Sequence, residues 1–169
     1  YAHAVRQALL SLLAAAAAVY LGLLAFLWWK QEALLFVPTP LPAGHRFPMR
    51  KYAALRERVE TVAASRRVEP PAATIEELVR VHDAAYIDAV MAGTLAPAAV
   101  RRIGFPWSQA MVERSRRSTG ATIAACRSAM RDGCGVNLAG GTHHAHAGFG
   151  EGFCVFNDAA VATRALQAD

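Results

Sequence analysis

Cys134-Gly135-Val136-Asn137-Leu138, continued by Ala139-Gly140-Gly141-Thr142-His143-His144-Ala145-His146, is the stretch that decides the fold class. Its first five residues read as an apolar strand whose C-terminal end runs into a glycine-rich loop. Upstream, Ser108 opens a long helix reaching about Asp132, with Gly133 as its stop. Met111, Ser115, Thr119, Ile123, Cys126 and Met130 form the inner face expected of that helix, small and apolar enough to lie against a sheet. Downstream, Asn157 or Asp158 caps a last helix carrying Ala160, Val161, Ala165 and Leu166. Helix, buried strand, loop, helix is the order of a parallel α/β sheet, whose sites lie beyond the carboxyl ends of strands.

The loop also carries the chemistry. His143, His144 and His146 fall within four residues, among glycines that let the backbone turn sharply and approach a ligand. Two adjacent histidines pack poorly, since at most one can face a core. They suit a site where one group takes a proton while its neighbour holds or returns one. Four readings stay open on the residues alone. His144 and His146 resemble part of the HxHxDH zinc motif of metallo-β-lactamase-like hydrolases, but Gly148 and Phe149 stand where Asp and His are needed. A phosphate cradle fits less well, because neither GxxxxGK[ST] nor GxGxxG can be written through Gly140 to Gly152. The pair can be a general acid and base beside a metal held elsewhere. Or the histidines satisfy local backbone groups and nothing more.

With 169 residues, the chain is long enough for one domain with a real core. Its apolar fraction of 54% is high, and the excess is local. Ala8 to Trp29 carries no charge, and as a helix would span roughly 33 Å, close to a bilayer's hydrocarbon thickness. Trp28, Trp29 and Lys30 at one end, with Tyr1, His3 and Arg6 at the other, match interfacial anchors. A single-pass membrane helix within residues 1–32 is therefore expected. Lys30, Arg46, Arg50 and Lys51 place the C-terminal bulk in the cytoplasm; if the span is not genuine, the chain is cytoplasmic. The three cysteines, Cys126, Cys134 and Cys154, form no CxxC pair and suit a reducing compartment. The net charge of +5 comes from arginines spread along helix faces, so no direct nucleic-acid binding is expected.

Between these regions the pattern predicts a strand at Ala33–Val37 and a helix from Met49 to about Ala64, with Tyr52, Leu55, Val59 and Val62 as its apolar stripe. Thr74 and Glu77 form a capping box, and Asp83 caps a helix bearing Tyr86, Ile87, Val90 and Met91 that ends at Gly93. Arg101 to Trp107 reads as a loop.

Asn137-Leu138-Ala139-Gly140-Gly141-Thr142-His143-His144-Ala145, with Gly152-Phe153-Cys154-Val155-Phe156-Asn157-Asp158, resembles the central motif of the histone deacetylase family. Pro42-Ala43-Gly44-His45-Arg46-Phe47-Pro48-Met49-Arg50-Lys51-Tyr52, Val81-His82-Asp83-Ala84-Ala85-Tyr86 and Arg102-Ile103-Gly104-Phe105-Pro106-Trp107-Ser108 agree, and most resemble the bacterial branch related to class IV. The resemblance runs from about Leu41 to Asp169. It implies an α/β domain of arginase/deacetylase type, here an incomplete parallel sheet with flanking helices over residues 33–169, preceded by the hydrophobic N-terminal helix. It implies a zinc-dependent deacetylase acting on an acetylated lysine, a polyamine or a related acetylated amine. His143 and His144 match the tandem histidines that handle protons on the attacking water and the leaving amine. Gly152 and Phe153 match the walls of the acyl-lysine tunnel, and Arg46 an arginine of the internal cavity. Cys154 lies beside the tunnel as a packing residue.

The resemblance also implies residues that this sequence does not contain. The family's zinc ligands, an Asp-x-His and a later Asp, together with a carbonyl-polarising Tyr and the carboxylates orienting the histidines, belong to later positions than Asp169. The chain by itself is therefore expected to be inactive, with no metal ligand of its own. A membrane-tethered, catalytically dead module that binds acyl-lysine or a partner is the alternative, as is a non-functional chimeric fragment. Tyr20 to Pro42 resembles the anchored N-terminus of membrane-tethered α/β-hydrolases, which raises a fusion near Leu41 to His45.

Overall fold

The computed structural model describes residue 7 and residues 11–13, 15–23, 41–42, 44–62 and 68–169. The chain divides into two compact units, Tyr1–Pro38 and Thr39–Asp169.

In the first unit, residues 11–13 and 15–23 are helical with exposed side chains, and the Ser11 hydroxyl donates to the Gln7 carbonyl at 3.0 Å. Among the described residues no helix is long and apolar enough to cross a membrane. The membrane span expected over 8–29 is therefore without support. Its remaining residues and the strand expected at Ala33–Val37 lie outside the described ones.

The second unit is built from helices: α1 (Arg50–Val62), α2 (Ile75–Leu78), α3 (Ala84–Ala92), α4 (Pro97–Ile103), α5 (Gln109–Asp132) and α6 (Asp158–Leu166). The signals that start and stop α5 act as expected. The Ser108 side chain accepts from the Met111 amide at 3.1 Å, and Gly133 ends the helix at φ 84°. Thr74 and Glu77 close a reciprocal capping box on α2, at 3.2 and 2.9 Å. Asp83 occupies the N-cap position of α3 but makes no side-chain cap bond.

Helix α5 is the spine of the unit; α6 packs along it, and α2 and α3 pack on α6 and α5 respectively. Leu78, Ile87, Val90, Ile103, Phe105, Met111, Val112, Ile123, Phe156 and Val161 form the buried cluster between them. The chain before α2 is held against α5 by a reciprocal pair: the Ala73 amide donates to the Arg116 carbonyl, and the Arg116 Nε donates to the Ala73 carbonyl, both at 3.0 Å. Gly120 makes this approach possible, because a Cβ there would fall on the Pro71 carbonyl and the Ala73 amide.

Three sequence-based expectations need correction. Arg101–Ile103 is the end of α4 rather than loop; Pro97 at the first helical position, with its φ already fixed, starts a helix instead of breaking one. Met130 does not join the inner face of α5, being 81% exposed near the helix end. Cys134–Leu138 forms no strand. Among the described residues the only β-pairing is an isolated antiparallel bridge between Glu151 and Cys154. A strand exists only through its neighbour's amides and carbonyls, and no described segment supplies a ladder here. The stretch instead runs along α5, Gly135 against the Ala125 carbonyl, while Val136 stays 74% exposed.

Candidate active site

The histidine loop, Gly140 to Gly148, has no regular structure of its own, and side chains from three elements fix it. At its N-terminal end the Asn137 side chain donates to the Ser118 carbonyl (2.9 Å) and the Thr122 hydroxyl (2.8 Å), and accepts from the Ala139 amide (2.9 Å). Asp158, buried at the start of α6, accepts from the amides of Gly141 (2.8 Å) and Thr142 (2.9 Å) and from the Thr122 hydroxyl (2.8 Å). Asn157, the N-cap of α6, accepts from the Ala160 amide and donates through Nδ2 to the carbonyls of His143 (3.1 Å) and Ala145 (3.0 Å). Helix capping and loop positioning are thus done by two consecutive residues.

His82 holds the C-terminal end. Its Nδ1–H donates to the carbonyl of His146 at 2.8 Å, with that of Ala147 at 3.3 Å, and its Nε2 accepts from the Asn157 amide at 3.0 Å. One ring nitrogen donating and the other accepting fixes the neutral imidazole. Burial lowers the pKa of His82, against the opposing pull of the His146 and Ala147 carbonyls and of Asp83.

Held in this way, the loop presents His143 and His144 side by side, ring centroids 4.1 Å apart and planes at 45°, both exposed. The His143 Nδ1–H donates to the Gly141 carbonyl at 3.0 Å; since a carbonyl only accepts, neutral His143 keeps its lone pair on Nε2. Gly152 lies against His144: a Cβ there would meet the imidazole at 3.4 Å. Phe153 follows in a left-handed conformation, φ 66°, with its amide donating to the Ile103 carbonyl at 2.7 Å. Its ring packs among Phe47, Phe105 and His45, at centroid distances of 5.1, 5.2 and 6.0 Å. The structure therefore brings His143, His144 and Gly152 together, with Phe153 next to them.

Arg46 is an exposed side chain of the segment before α1. A cleft of about 290 Å³ lies beside the loop's first glycine, lined by Lys51, Tyr52, Leu55, Leu138 and Gly140. Cys154 is buried, its thiol 3.6 Å from the Gly152 carbonyl, and burial raises its pKa, in keeping with a packing residue and not a nucleophile. Among the described residues no three His, Cys, Asp or Glu side chains converge on a point that could hold a metal ion. His146 and Glu151 approach to 3.5 Å, both well exposed. The described residues thus do not fit a zinc site.

His82, Asn157 and Asp158 carry no site role in the sequence reading. The Asn-Asp doublet was visible as a pair of alternative caps; that Asn157 caps while both residues also hold the loop was not.

Two imidazoles thus stand in contact on a loop whose backbone is fixed from both ends. The chain belongs to the histone deacetylase family: the histone deacetylase domain model matches residues 45–169. An uncharacterised protein of Picosynechococcus is 42% identical over 132 residues, covering 76% of this chain and 44% of its own length. The acetoin utilization protein AcuC of Bacillus subtilis is 36% identical over 110 residues, 59% of this chain and 28% of that protein. Among solved structures, a histone deacetylase homologue from Aquifex aeolicus superposes with a TM-score of 0.58 at 25% identity, over 73% of this chain and 38% of that one. A homologue complexed with SAHA gives 0.61 at 26% identity, over 76% and 38%. These likenesses support the deacetylase α/β fold, and this chain spans less than half the length of each of these proteins. The likeness of Tyr20–Pro42 to an anchored α/β-hydrolase finds no support, since the family match begins at residue 45 and the relatives are deacetylase-like.

Proposed function

We propose that this chain carries the proton-handling part of a deacetylase that hydrolyses an acetylated lysine or a related acetylated amine. The observation that carries the reading is the His143–His144 pair, in ring contact at 4.1 Å on a loop fixed by α6 and His82. With Nδ1–H committed to Gly141, His143 offers Nε2 to accept a proton, and His144 beside it returns one to the departing amine. Gly152 leaves the face of His144 clear, and Phe153 gives an aromatic wall for an aliphatic stem. Arg46, exposed in this chain, would line an internal cavity only in the intact protein.

Zinc, on which the family generally depends, belongs to this proposal as a cofactor of the intact protein, and none of the described residues is assigned to it. An imidazole pair alone does not bring a water's pKa near neutrality. The chain by itself is therefore proposed to bind the acetylated side chain without turning it over.

The test is an NMR titration with an Nε-acetyl-lysine peptide, with zinc added and hydrolysis followed in parallel. Shifts at His143, His144, Gly152 and Phe153 are expected for the acetylated peptide and not for its unacetylated form, with no amine released. No response at these residues would overturn the substrate assignment. Zinc-dependent turnover abolished by His144→Ala would overturn the inactivity of the chain while upholding the chemistry.

A further inference from the structure

Arg102 and Ile103, the last two residues of α4, run beside Gly152 and Phe153. The Gly152 amide donates to the Arg102 carbonyl at 3.3 Å, and the Phe153 amide to the Ile103 carbonyl at 2.7 Å. Arg102 thus stands next to Gly152, which itself lies against His144. Its side chain is exposed but has a fixed seat. The guanidinium carbon lies 4.9 Å from the centre of the Phe149 ring, and that ring stacks on the His146 imidazole at 4.4 Å and 20°. The turn carrying both rings is closed by the His146 amide, which donates to the Phe149 carbonyl at 2.8 Å.

Stacking occupies the face of a guanidinium and leaves its edge of N–H donors free. Among the described residues no carboxylate takes those of Arg102. The two carboxylates on this side of the loop face other groups: Glu151 approaches the His146 Nε2 at 3.5 Å, and Asp83 lies against Gly148. Arg101, also exposed, adds a second positive charge to the same helix end. A flat fork of donors held on an aromatic ring matches a carboxylate bidentately and is a poor neighbour for a cation.

We propose that Arg102 is a specificity-determining residue: it binds a carboxylate that the substrate carries beyond its aliphatic stem. The site is thereby directed to acetyl-lysine with an acidic group at hand, and away from acetylated polyamines, whose far end is cationic. This rests on the reading of the histidine loop as an acetylated-amine site. With the acetyl group at the imidazole pair and the stem along Gly152 and Phe153, the rest of the substrate reaches the surface around Gly152, where Arg102 is the cation held in place.

The experiment is a set of NMR titrations of the full chain and of Arg102→Gln with four ligands. They are a peptide ending in Nε-acetyl-lysine with a free carboxylate, its C-terminal amide, an amidated peptide with Glu next to the acetyl-lysine, and N-acetylspermidine. In the parent, one or both carboxylate-bearing ligands are expected to bind about three- to fivefold tighter than the plain amide, the range of a good exposed charge pair, and acetylspermidine more weakly than the amide. Which of the two gains tells whether the acid comes from the chain terminus or from the neighbouring side chain. Added salt should erase the preference in the parent itself. In Arg102→Gln the preference should vanish while the shifts at His143, His144 and Gly152 persist, and Arg102→Glu should rank acetylspermidine above the carboxylates. Equal binding of all the peptides to the parent, or a preference that survives Arg102→Gln, would overturn the role of Arg102 and leave the acetylated-amine site standing. No shift at the loop with any ligand would overturn both.

Discussion

At φ 66°, Phe153 takes a backbone conformation that a side chain bearing a Cβ adopts at a cost of about 1–3 kcal/mol. Its amide bond to Ile103 and the surrounding Phe47, Phe105 and His45 rings hold it there. Gly104 completes the seat: it has φ 88°, and a Cβ would stand 2.9 Å from the Phe153 ring. Gly104→Ala is therefore expected to destabilise the chain by about 2 kcal/mol, through combined backbone strain and ring displacement, as read from urea midpoints. His82 gives a second prediction. Its folded pKa lies below the unfolded value of 6.5, so the unfolded chain takes up the proton first. The stability contributed by its neutral ring is thus full above pH 6.5 and is lost as the pH falls through the lower folded value. His82→Gln should be less stable above pH 6.5, and its stability should fall less steeply below it; an equal slope in both proteins would contradict this. No local pattern could have announced His82, because it bonds His146, 64 residues further along the chain.

Among the elements, those whose ends carry their own signals were legible in the sequence. Ser108 and Gly133 bound α5, the Thr74–Glu77 box starts α2, and Gly93 stops α3 at φ 74°. Replacing Ser108 with Ala leaves the Met111 amide without its acceptor and should cost about 1 kcal/mol in thermal or chemical unfolding. Gly120→Ala is expected to be far more damaging, about 3 kcal/mol, although alanine is the better helix former. The added methyl would strike the Pro71 carbonyl and part the Ala73–Arg116 bond pair. Near-parental stability of this variant would show that the chain before α2 can move aside. Helix α4 was missed because it has seven residues and opens on Pro97, so it offered neither a long apolar period nor a favoured N-cap. The site was legible where it is contiguous: the histidine pair and Gly152–Phe153 stood in one stretch. Its supports are spread over α5, α6 and the turn before α3, and only folding brings them together.

For the whole molecule, the expectation that failed is the strand at Cys134–Leu138, and it failed for a non-local reason. Hydrophobic content can mark a stretch as strand-like, but a ladder needs a second stretch, and among the described residues none lies alongside. Val136 accordingly behaves as a surface residue, and Val136→Thr should change the stability of this chain by less than about 0.5 kcal/mol. A loss above about 1 kcal/mol would mean that the segment is buried in solution.

Both grips on the imidazole loop, Asn157 and Asp158, sit at one extremity of a nine-residue helix whose other extremity packs its Ala165 into the core. That makes α6 a lever. At 1.5 Å per residue its arm is about 13 Å, so a tilt of about 5° pivoting at Ala165 would swing the paired rings by about 1 Å. A displacement of that size can cost a reaction about a hundredfold in rate. The placement of the paired rings is thereby tied to the volume of one small buried side chain at the opposite end of α6.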